Sequence, residues 1–281
     1  MSGKTLVIHT GGVGDFICAL PALARLRANG PLEIAGIPER AALAVAAGIA
    51  DAAHDLDRAD FHTAFRMPSD RLRAFCAPFA RAVVWMKDED GALARGLRAA
   101  GIGEAQCFPG IPPAEWARHA APWYADCLGV EIELPFQLEF PRAHCAPDVV
   151  LHPGSGDPKK NWPLDRFRAL ADRLGDAGLT YAWCLGPAEE SLAPPPQPAL
   201  QEMSLTALAG VLARARLFVG NDSGIGHLAS VAGCPAVSIF GPTDPAVWRP
   251  IGPRTRVLQG TPWPEVEAVW AAARELLGIR A

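Results

Sequence analysis

Residues 217–245 read LFVGNDSGIGHLASVAGCPAVSIFGPTDP, and this stretch decides the fold class of the chain. An apolar run ends in the polar turn 221–224, a helix of small residues follows, and a second apolar run ends in the turn 241–245. The pattern predicts a strand, a helix and a second strand, the repeating unit of a parallel sheet. Ligands bind outside the carboxyl ends of such strands, and a helix that begins with serine and glycine offers free N–H groups to an anion. The stretch therefore predicts a site for a phosphorylated ligand.

The composition narrows the class of protein. The chain has 281 residues, half of them hydrophobic, a length that favours two domains. Its formal net charge of −4, with no long basic tract, argues against a nucleic-acid-binding surface. The seven cysteines are scattered and never spaced as C-x-x-C, which indicates reduced thiols in a cytosol rather than disulfides or a zinc cluster.

The sequence also bears on membrane insertion. The first residues lack the apolar core and cleavage site of a signal peptide, and the longest apolar run, at 41–50, is far shorter than the ~20 residues that span a bilayer. We therefore expect a cytoplasmic protein. The sequence leaves open whether it also binds peripherally at the inner face of the membrane.

One plan of strands and helices occurs twice along the chain. A strand at 4–10, a glycine turn and a helix from Asp15 to Asn29 begin the first set, and Asp148 begins the second. Further strands are predicted at 32–37 and 82–86, with helices at 39–47, 70–80 and 92–100. Between Pro109 and Pro147 this alternation stops, so we place the domain boundary near residue 140. The predicted fold class is α/β with two Rossmann-like domains.

The first motif is the turn Gly11-Gly12-Val13-Gly14-Asp15, between the first strand and the first helix. Asp is a favoured capping residue, so one interpretation is that Asp15 only caps this helix, and the motif taken alone favours it. A carboxylate at the carboxyl end of a strand can also accept a proton from a bound hydroxyl. Both roles stay open at this point.

The second motif is HPGSGDPKKNWP at 152–163. Small residues let backbone N–H groups approach phosphate oxygens, Ser155 adds a hydroxyl, and Lys159 and Lys160 add positive charge. The spacing does not fit a Walker loop. A solvated turn with exposed lysines is the alternative, but Trp162-Pro163 predicts a rigid helix entry that fixes Lys160 in place.

The third motif is the opening stretch itself. Asp222, Thr243 and Asp244 can hydrogen-bond sugar or ribose hydroxyls, and Ser223 and Gly224 begin the anion-binding helix. We interpret His227 as a packed histidine rather than a catalyst. Neither His152 nor His227 has a partner at metal-ligand spacing, and no D-x-D motif faces a diphosphate, so the sequence predicts no metal and no cofactor.

Together the three motifs resemble glycosyltransferase family 9, the heptosyltransferase family, which builds the inner core of bacterial lipopolysaccharide. The resemblance implies a GT-B fold, with an acceptor-side domain at 1–140, a nucleotide-sugar-binding domain at 141–262, and a helix at 263–281 that returns towards the first domain. It also implies that the two domains face each other across a cleft. The implied reaction is metal-independent, inverting transfer of a sugar, typically heptose from ADP-heptose, to a lipopolysaccharide-type or related glycan.

The resemblance assigns roles residue by residue. Asp15 matches the general base, Ser155 and Lys160 the diphosphate contacts, and Asp222 a donor-sugar contact. Either Glu189 or Glu190 matches an acidic position near the nucleoside. Residues 51–81 match nothing in the family, which leaves the acceptor and the sugar open. The complete predicted site comprises catalytic Asp15 and Lys160 with the substrate-binding residues Gly12, Gly14, Ser155, Lys159, Glu189, Asp222, Ser223, Gly224, His227, Thr243 and Asp244.

Two other functional classes fit parts of the sequence. A Rossmann oxidoreductase uses a glycine turn after its first strand, but the turn at 10–15 does not complete G-x-G-x-x-G, and Glu33 is a weak cue for ribose binding. A non-catalytic nucleotide-sugar-binding protein is the second alternative. Binding of a pyridine nucleotide would indicate the first class, and donor binding without turnover the second.

Overall fold

A computed structural model describes residues 3–186, 189 and 196–279. The chain divides into two compact units, Met1–Ile132 and Glu133–Ala281. The division lies ahead of the predicted boundary near residue 140, because the segment that follows it is hydrogen-bonded within the second unit. The N–H of Phe136 donates to Ile251 O at 2.8 Å, and the N–H of Leu138 donates to Val231 O at 2.7 Å.

The first unit contains a five-stranded parallel sheet in the order β3-β2-β1-β4-β5. Its elements are β1 (Lys4–His9), α1 (Val13–Ala28), β2 (Leu32–Gly36), α2 (Pro38–Ala46), β3 (Ala52–Asp55), α3 (Asp70–Cys76), β4 (Phe79–Trp85), α4 (Ala92–Ala99), β5 (Glu104–Phe108) and α5 (Ala120–Leu128). The buried strand residues Leu6, Ile8 and Val84 form one core with α3 and α4. The chain reverses its direction across the sheet beside β1, so the turn after β1 lies at a topological switch point.

The second unit contains a six-stranded parallel sheet in the order β11-β10-β9-β6-β7-β8. Its elements are β6 (Val149–His152), α6 (Leu164–Asp176), β7 (Tyr181–Cys184), β8 (Ala199–Leu200), α7 (Leu205–Leu212), β9 (Leu217–Asn221), α8 (Gly224–Val231), β10 (Ala236–Phe240), α9 (Pro245–Trp248), β11 (Thr255–Gln259) and α10 (Val266–Leu277). The chain runs outward from β6 to β8, then returns to β9 on the other side of β6. The loops after β6 and β9 therefore flank the switch point, where ligands bind in open α/β sheets.

The C-terminal helix α10 packs on the core of the second unit. Val269, Ala272 and Ala273 are buried there against residues of α6 and the sheet, such as Leu170 and Val219. The helical spacing predicted for this segment is confirmed. Its predicted return towards the first unit stays a prediction.

The α/β fold class with two parallel-sheet units is confirmed, and several element bounds differ from the predictions. The helix predicted at 70–80 ends at Cys76, because the chain enters β4 at Phe79. No helix within 3–186, at 189 or within 196–279 is both long and apolar enough to span a bilayer.

Candidate functional site in the second unit

The loop after β6 presents its backbone at the switch point. Within the part of the chain that the structure describes, the N–H groups of Gly154, Ser155 and Gly156 have no hydrogen-bond acceptor. The Ser155 hydroxyl is occupied inside the loop, since its single proton is shared by two acceptors, Asp157 O at 2.6 Å and Asn161 Oδ1 at 2.7 Å. The loop therefore offers a phosphate its amides, with the serine hydroxyl stabilising the turn.

Asn221, the last residue of β9, stabilises this loop through two side-chain hydrogen bonds. Its Nδ2 donates to Pro153 O at 2.7 Å, and its Oδ1 accepts from the N–H of Trp162 at 2.9 Å. The Trp162 indole is buried and donates to Pro264 O at 3.0 Å. These bonds give the rigid helix entry that the sequence predicted, and they hold Lys160 two residues away.

Lys160, Asp222 and Thr243 form one cluster across three loops. Lys160 Nζ donates to Asp222 Oδ2 at 3.0 Å, and the Thr243 hydroxyl donates to the same oxygen at 2.8 Å. The Asp222 side chain is 7 % exposed and that of Lys160 31 %. Asp222 Oδ1 has no partner among the described residues, so it can accept a hydrogen bond from a ligand hydroxyl.

Helix α8 begins beside this cluster. The Ser223 hydroxyl caps it by accepting from the N–H of Gly226 at 3.3 Å. The N–H groups of Gly224 and Ile225 have no acceptor in the described part of the chain, and both residues are half-buried. His227 is buried within this helix, in line with its interpretation as a packed residue. The start of α8 thus aims two N–H groups and its positive end at the switch point.

Two of the predicted contacts lie at the edge of this arrangement. Asp244 is exposed, and its carboxylate caps α9 by accepting from the N–H of Ala246 at 2.8 Å. Lys159 is exposed and borders an open cavity of about 550 Å³ beside Gly241 and Trp263. The structure brings neither side chain to the Lys160 cluster, and both stay predicted substrate contacts.

Glu189 lies buried under the loop after β6, with 2 % of its side chain exposed. Its Oε2 accepts from the N–H of Gly186 at 2.6 Å, whereas its Oε1 has no hydrogen-bond partner among the described residues. A Cβ atom at position 154 would lie 1.4 Å from that oxygen, which explains the glycine there. Glu190, the alternative acidic residue, lies outside the described residues.

His152, at the end of β6, supports the same region. Its Nδ1 donates to Cys184 O at 2.9 Å and lies 3.8 Å from Glu189 Oε1. Burial lowers the pKa of His152 against the opposing effect of the Glu189 carboxylate, so the ring stays neutral. No group of three histidine, cysteine or acidic residues able to hold a metal ion occurs in the described ranges.

Candidate functional site in the first unit

Asp15 performs the capping role that the sequence left open. Its Oδ2 accepts from the N–H of Gly12 at 2.9 Å, which ties the first turn of α1 back to the glycine loop. Gly12 and Gly14 shape this turn, and Asp15 stays half-buried at its mouth. Capping occupies one oxygen of a carboxylate that has about four acceptor sites, so it does not exclude proton transfer.

Two residues that the sequence analysis missed support this loop. His9 is buried and its Nδ1 accepts from the N–H of Gly11 at 3.2 Å. Burial, together with the charge of Arg40, lowers the pKa of His9 to about 4. Arg40, in the first turn of α2, donates to Gly11 O, and its charge also interacts with Asp15. Only the pairing of β1 with β2 brings α2 here, so the sequence motif alone gave no signal for Arg40.

Comparison with known proteins

Residues 133–271 match the family model described as "Glycosyltransferase family 9 (heptosyltransferase)". This region, just under half of the chain, is thus similar to glycosyltransferase family 9. The match covers nearly all of the second unit, which carries the Lys160 cluster.

One curated relative is the lipopolysaccharide heptosyltransferase 1 of Pseudomonas aeruginosa, 36 % identical over 126 residues, or 42 % of this chain and 35 % of the relative. Lipopolysaccharide heptosyltransferase 3 of Escherichia coli is 33 % identical over 113 residues, or 36 % of this chain and 33 % of the relative. The chain thus aligns with about a third of the length of the curated relatives it matches.

A solved structure extends the similarity to both units. The ADP-heptose lipopolysaccharide heptosyltransferase II of E. coli superimposes with a TM-score of 0.78 at 18 % identity, covering 98 % of each chain. At this identity the likeness concerns the fold. The predicted GT-B fold class is confirmed.

Proposed function

We propose that the protein is an inverting glycosyltransferase, which moves a sugar from an ADP-sugar, heptose from ADP-heptose, to a lipopolysaccharide-type glycan. The observation that carries the proposal is the cluster of Lys160, Asp222 and Thr243 between two sets of unpaired backbone N–H groups, in a region that matches family 9. Relatives of that family are lipopolysaccharide heptosyltransferases.

The donor diphosphate lies, in this proposal, between the loop after β6 and the start of α8. The amides of Gly154, Ser155 and Gly156 approach it from one side, and those of Gly224 and Ile225 from the other. Lys160 Nζ, which also donates to Asp222, supplies the cation. We assign the contact predicted for Ser155 to its N–H, because its hydroxyl is engaged within the loop.

Two carboxylates recognise the rest of the donor. The open Oδ1 of Asp222 accepts from a hydroxyl of the sugar. Glu189 Oε1, a buried oxygen with no partner among the described residues, accepts from a ribose hydroxyl, which satisfies its hydrogen-bonding capacity.

Asp15 serves as the general base. As the acceptor oxygen attacks the anomeric carbon, its proton passes to the Asp15 carboxylate, and the bond from that carbon to the diphosphate breaks with its electron pair staying on ADP. Fixed N–H groups and Lys160 stabilise the growing charge on the leaving group without a metal ion. With acceptors of this kind, the proposed place of action is the cytoplasm, at the inner face of the membrane.

The alternative of a nicotinamide-dependent enzyme is disfavoured by Glu33. This residue lies near the start of β2, away from the strand end where a ribose-binding carboxylate is needed. Its carboxylate is engaged by Lys4 at 2.5 Å and His54 at 2.6 Å. Glu33 therefore stabilises the first unit.

The test is an assay of ADP release from ADP-heptose, with lipopolysaccharide precursors that lack their first or second heptose as acceptors. We expect acceptor-dependent ADP release with one precursor, and no release of UDP when UDP-glucose replaces ADP-heptose as a mismatched donor. Tight binding of ADP-heptose with no release on any precursor would instead indicate a non-catalytic binding protein.

A further inference from the structure

A second cavity lies at the amino ends of the strands of the second unit's sheet, whereas the Lys160 cluster lies at their carboxyl ends. Its volume is about 610 Å³, and it is bordered by four arginines, Arg142, Arg214, Arg216 and Arg254. Arg216 directly precedes β9, whereas Asp222 directly follows it. At about 3.3 Å per residue the two ends of this strand are roughly 20 Å apart, so the cavity is separate from the proposed donor site.

The charge of this cavity contrasts with that of the chain. Four arginines and one acidic residue, Glu139, border it, which gives a formal charge of 4 − 1 = +3. Asp148 pairs with Arg216 at 3.1 Å and leaves about +2. The whole chain carries −4, so this is a local concentration of positive charge in an acidic protein.

Two of the four arginine side chains have partners within the protein, and the other two can bind a ligand. Arg216 pairs with Asp148, and Arg254 donates to Gly233 O at 2.6 Å. The side chains of Arg142 and Arg214 are exposed and have no hydrogen bond or ion pair with any described residue. Guanidinium groups bind phosphate oxygens through paired N–H donors, so Arg142 and Arg214 supply the chemistry that recognises a phosphate.

One wall of the cavity is held in place by backbone hydrogen bonds. The segment that carries Arg142 is hydrogen-bonded on both sides of it, from the N–H of Leu138 to Val231 O at 2.7 Å and from the N–H of Ala143 to Gly210 O at 3.0 Å. Leu138 and Phe140 are buried beneath it. The backbone that carries Arg142 is thus fixed by the fold of the second unit.

We propose that this arginine cavity is a second anion site, which binds a phosphate group separately from the sugar donor. The group belongs either to a free phosphorylated compound or to the headgroup of an anionic phospholipid. Both have the same recognising chemistry, and two probes distinguish them: inorganic pyrophosphate, and vesicles of phosphatidylglycerol and phosphatidylcholine compared with vesicles of phosphatidylcholine alone.

The experiment uses full-length protein with Lys160→Ala, which removes the cation of the donor site. Calorimetric titration measures pyrophosphate binding, and co-sedimentation measures vesicle binding. Adding R142A and R214A should weaken whichever probe binds at least about tenfold, which is about 1.4 kcal/mol. The matched control adds R66A and R168A, two exposed arginines outside the cavity, and should leave binding unchanged.

Each outcome decides the proposal. Arginine-dependent binding of pyrophosphate alone assigns a free phosphorylated ligand, and arginine-dependent binding of phosphatidylglycerol vesicles assigns a headgroup. Failure of both probes to bind, or equal losses in the cavity variant and the control, overturns the second anion site. Thermal unfolding of each variant confirms that it is folded.

Discussion

Replacing Lys160 by alanine should weaken the binding of ADP much more than that of adenosine. A charge-assisted contact between an ammonium and a phosphate contributes about 1.5 to 3 kcal/mol, which corresponds to roughly a 10- to 150-fold loss of affinity. Nearly a third of the Lys160 side chain is exposed, so solvent screening favours the lower end of that range. Adenosine lacks the diphosphate, and its affinity should change by less than about twofold.

The assay is calorimetric titration of ADP and adenosine into wild type, Lys160→Ala and the control Arg168→Ala. Arg168 is an exposed residue of α6, so its removal takes away one charge from the same unit without touching the cluster. Melting temperatures are needed too, because the substitution also leaves the buried Asp222 with only Thr243 as its partner. Equal losses for ADP and adenosine in folded Lys160→Ala protein would refute the diphosphate contact.

Three further predictions concern donor binding without a metal ion, the loop after β1 and the loop after β6. ADP affinity should be the same with and without EDTA, and loss of binding on chelation would contradict metal-independent donor binding. The pKa of His9 is about 4 in the folded protein against 6.5 in the unfolded chain, so its contribution to stability is complete above pH 6.5 and is lost, by about 3 kcal/mol, as the pH falls from 6.5 through 4. His9→Asn should therefore flatten the dependence of the unfolding free energy on pH between 6.5 and 4, and an unchanged slope would contradict this. Gly154→Ala should destabilise the protein by about 1 to 3 kcal/mol, because its Cβ meets Glu189, whereas Gly156→Ala has open space and should be nearly neutral in thermal unfolding.

The sequence predicted the parallel sheets well because buried strands and amphipathic helices leave strong local patterns. The strand, helix and strand of residues 217–240 lie where the apolar runs indicated. The four edge strands β3, β5, β8 and β11 were not predicted, since two to five residues with mixed polarity resemble loops. Edge strands are defined by pairing with a neighbour, which a local pattern does not record.

The candidate site was predictable where one loop carries it and not where several loops meet. Lys160 and Asp222 stand out within their own motifs, but their contact with Thr243 depends on the order of β6, β9 and β10 in the sheet. The hydroxyl of Ser155 was predicted to contact phosphate, and only the folded loop shows that it faces Asp157 and Asn161. His9 was missed because a strand histidine has no signature in the sequence.

The measurement that tests the central claim most directly is the rate of sugar transfer by Asp15→Asn. Asparagine keeps the size of the side chain, and its carbonyl oxygen can still accept from the N–H of Gly12, so the fold and the donor affinity should persist. It cannot take the proton of the acceptor hydroxyl, and loss of a general base typically lowers a rate by about a hundredfold to ten-thousandfold. With an acceptor on which the wild type is active, we predict that ADP binding stays nearly unchanged while ADP release falls by at least a hundredfold. Wild-type turnover by a folded Asp15→Asn variant would show that Asp15 only caps the helix, and would contradict the proposed mechanism.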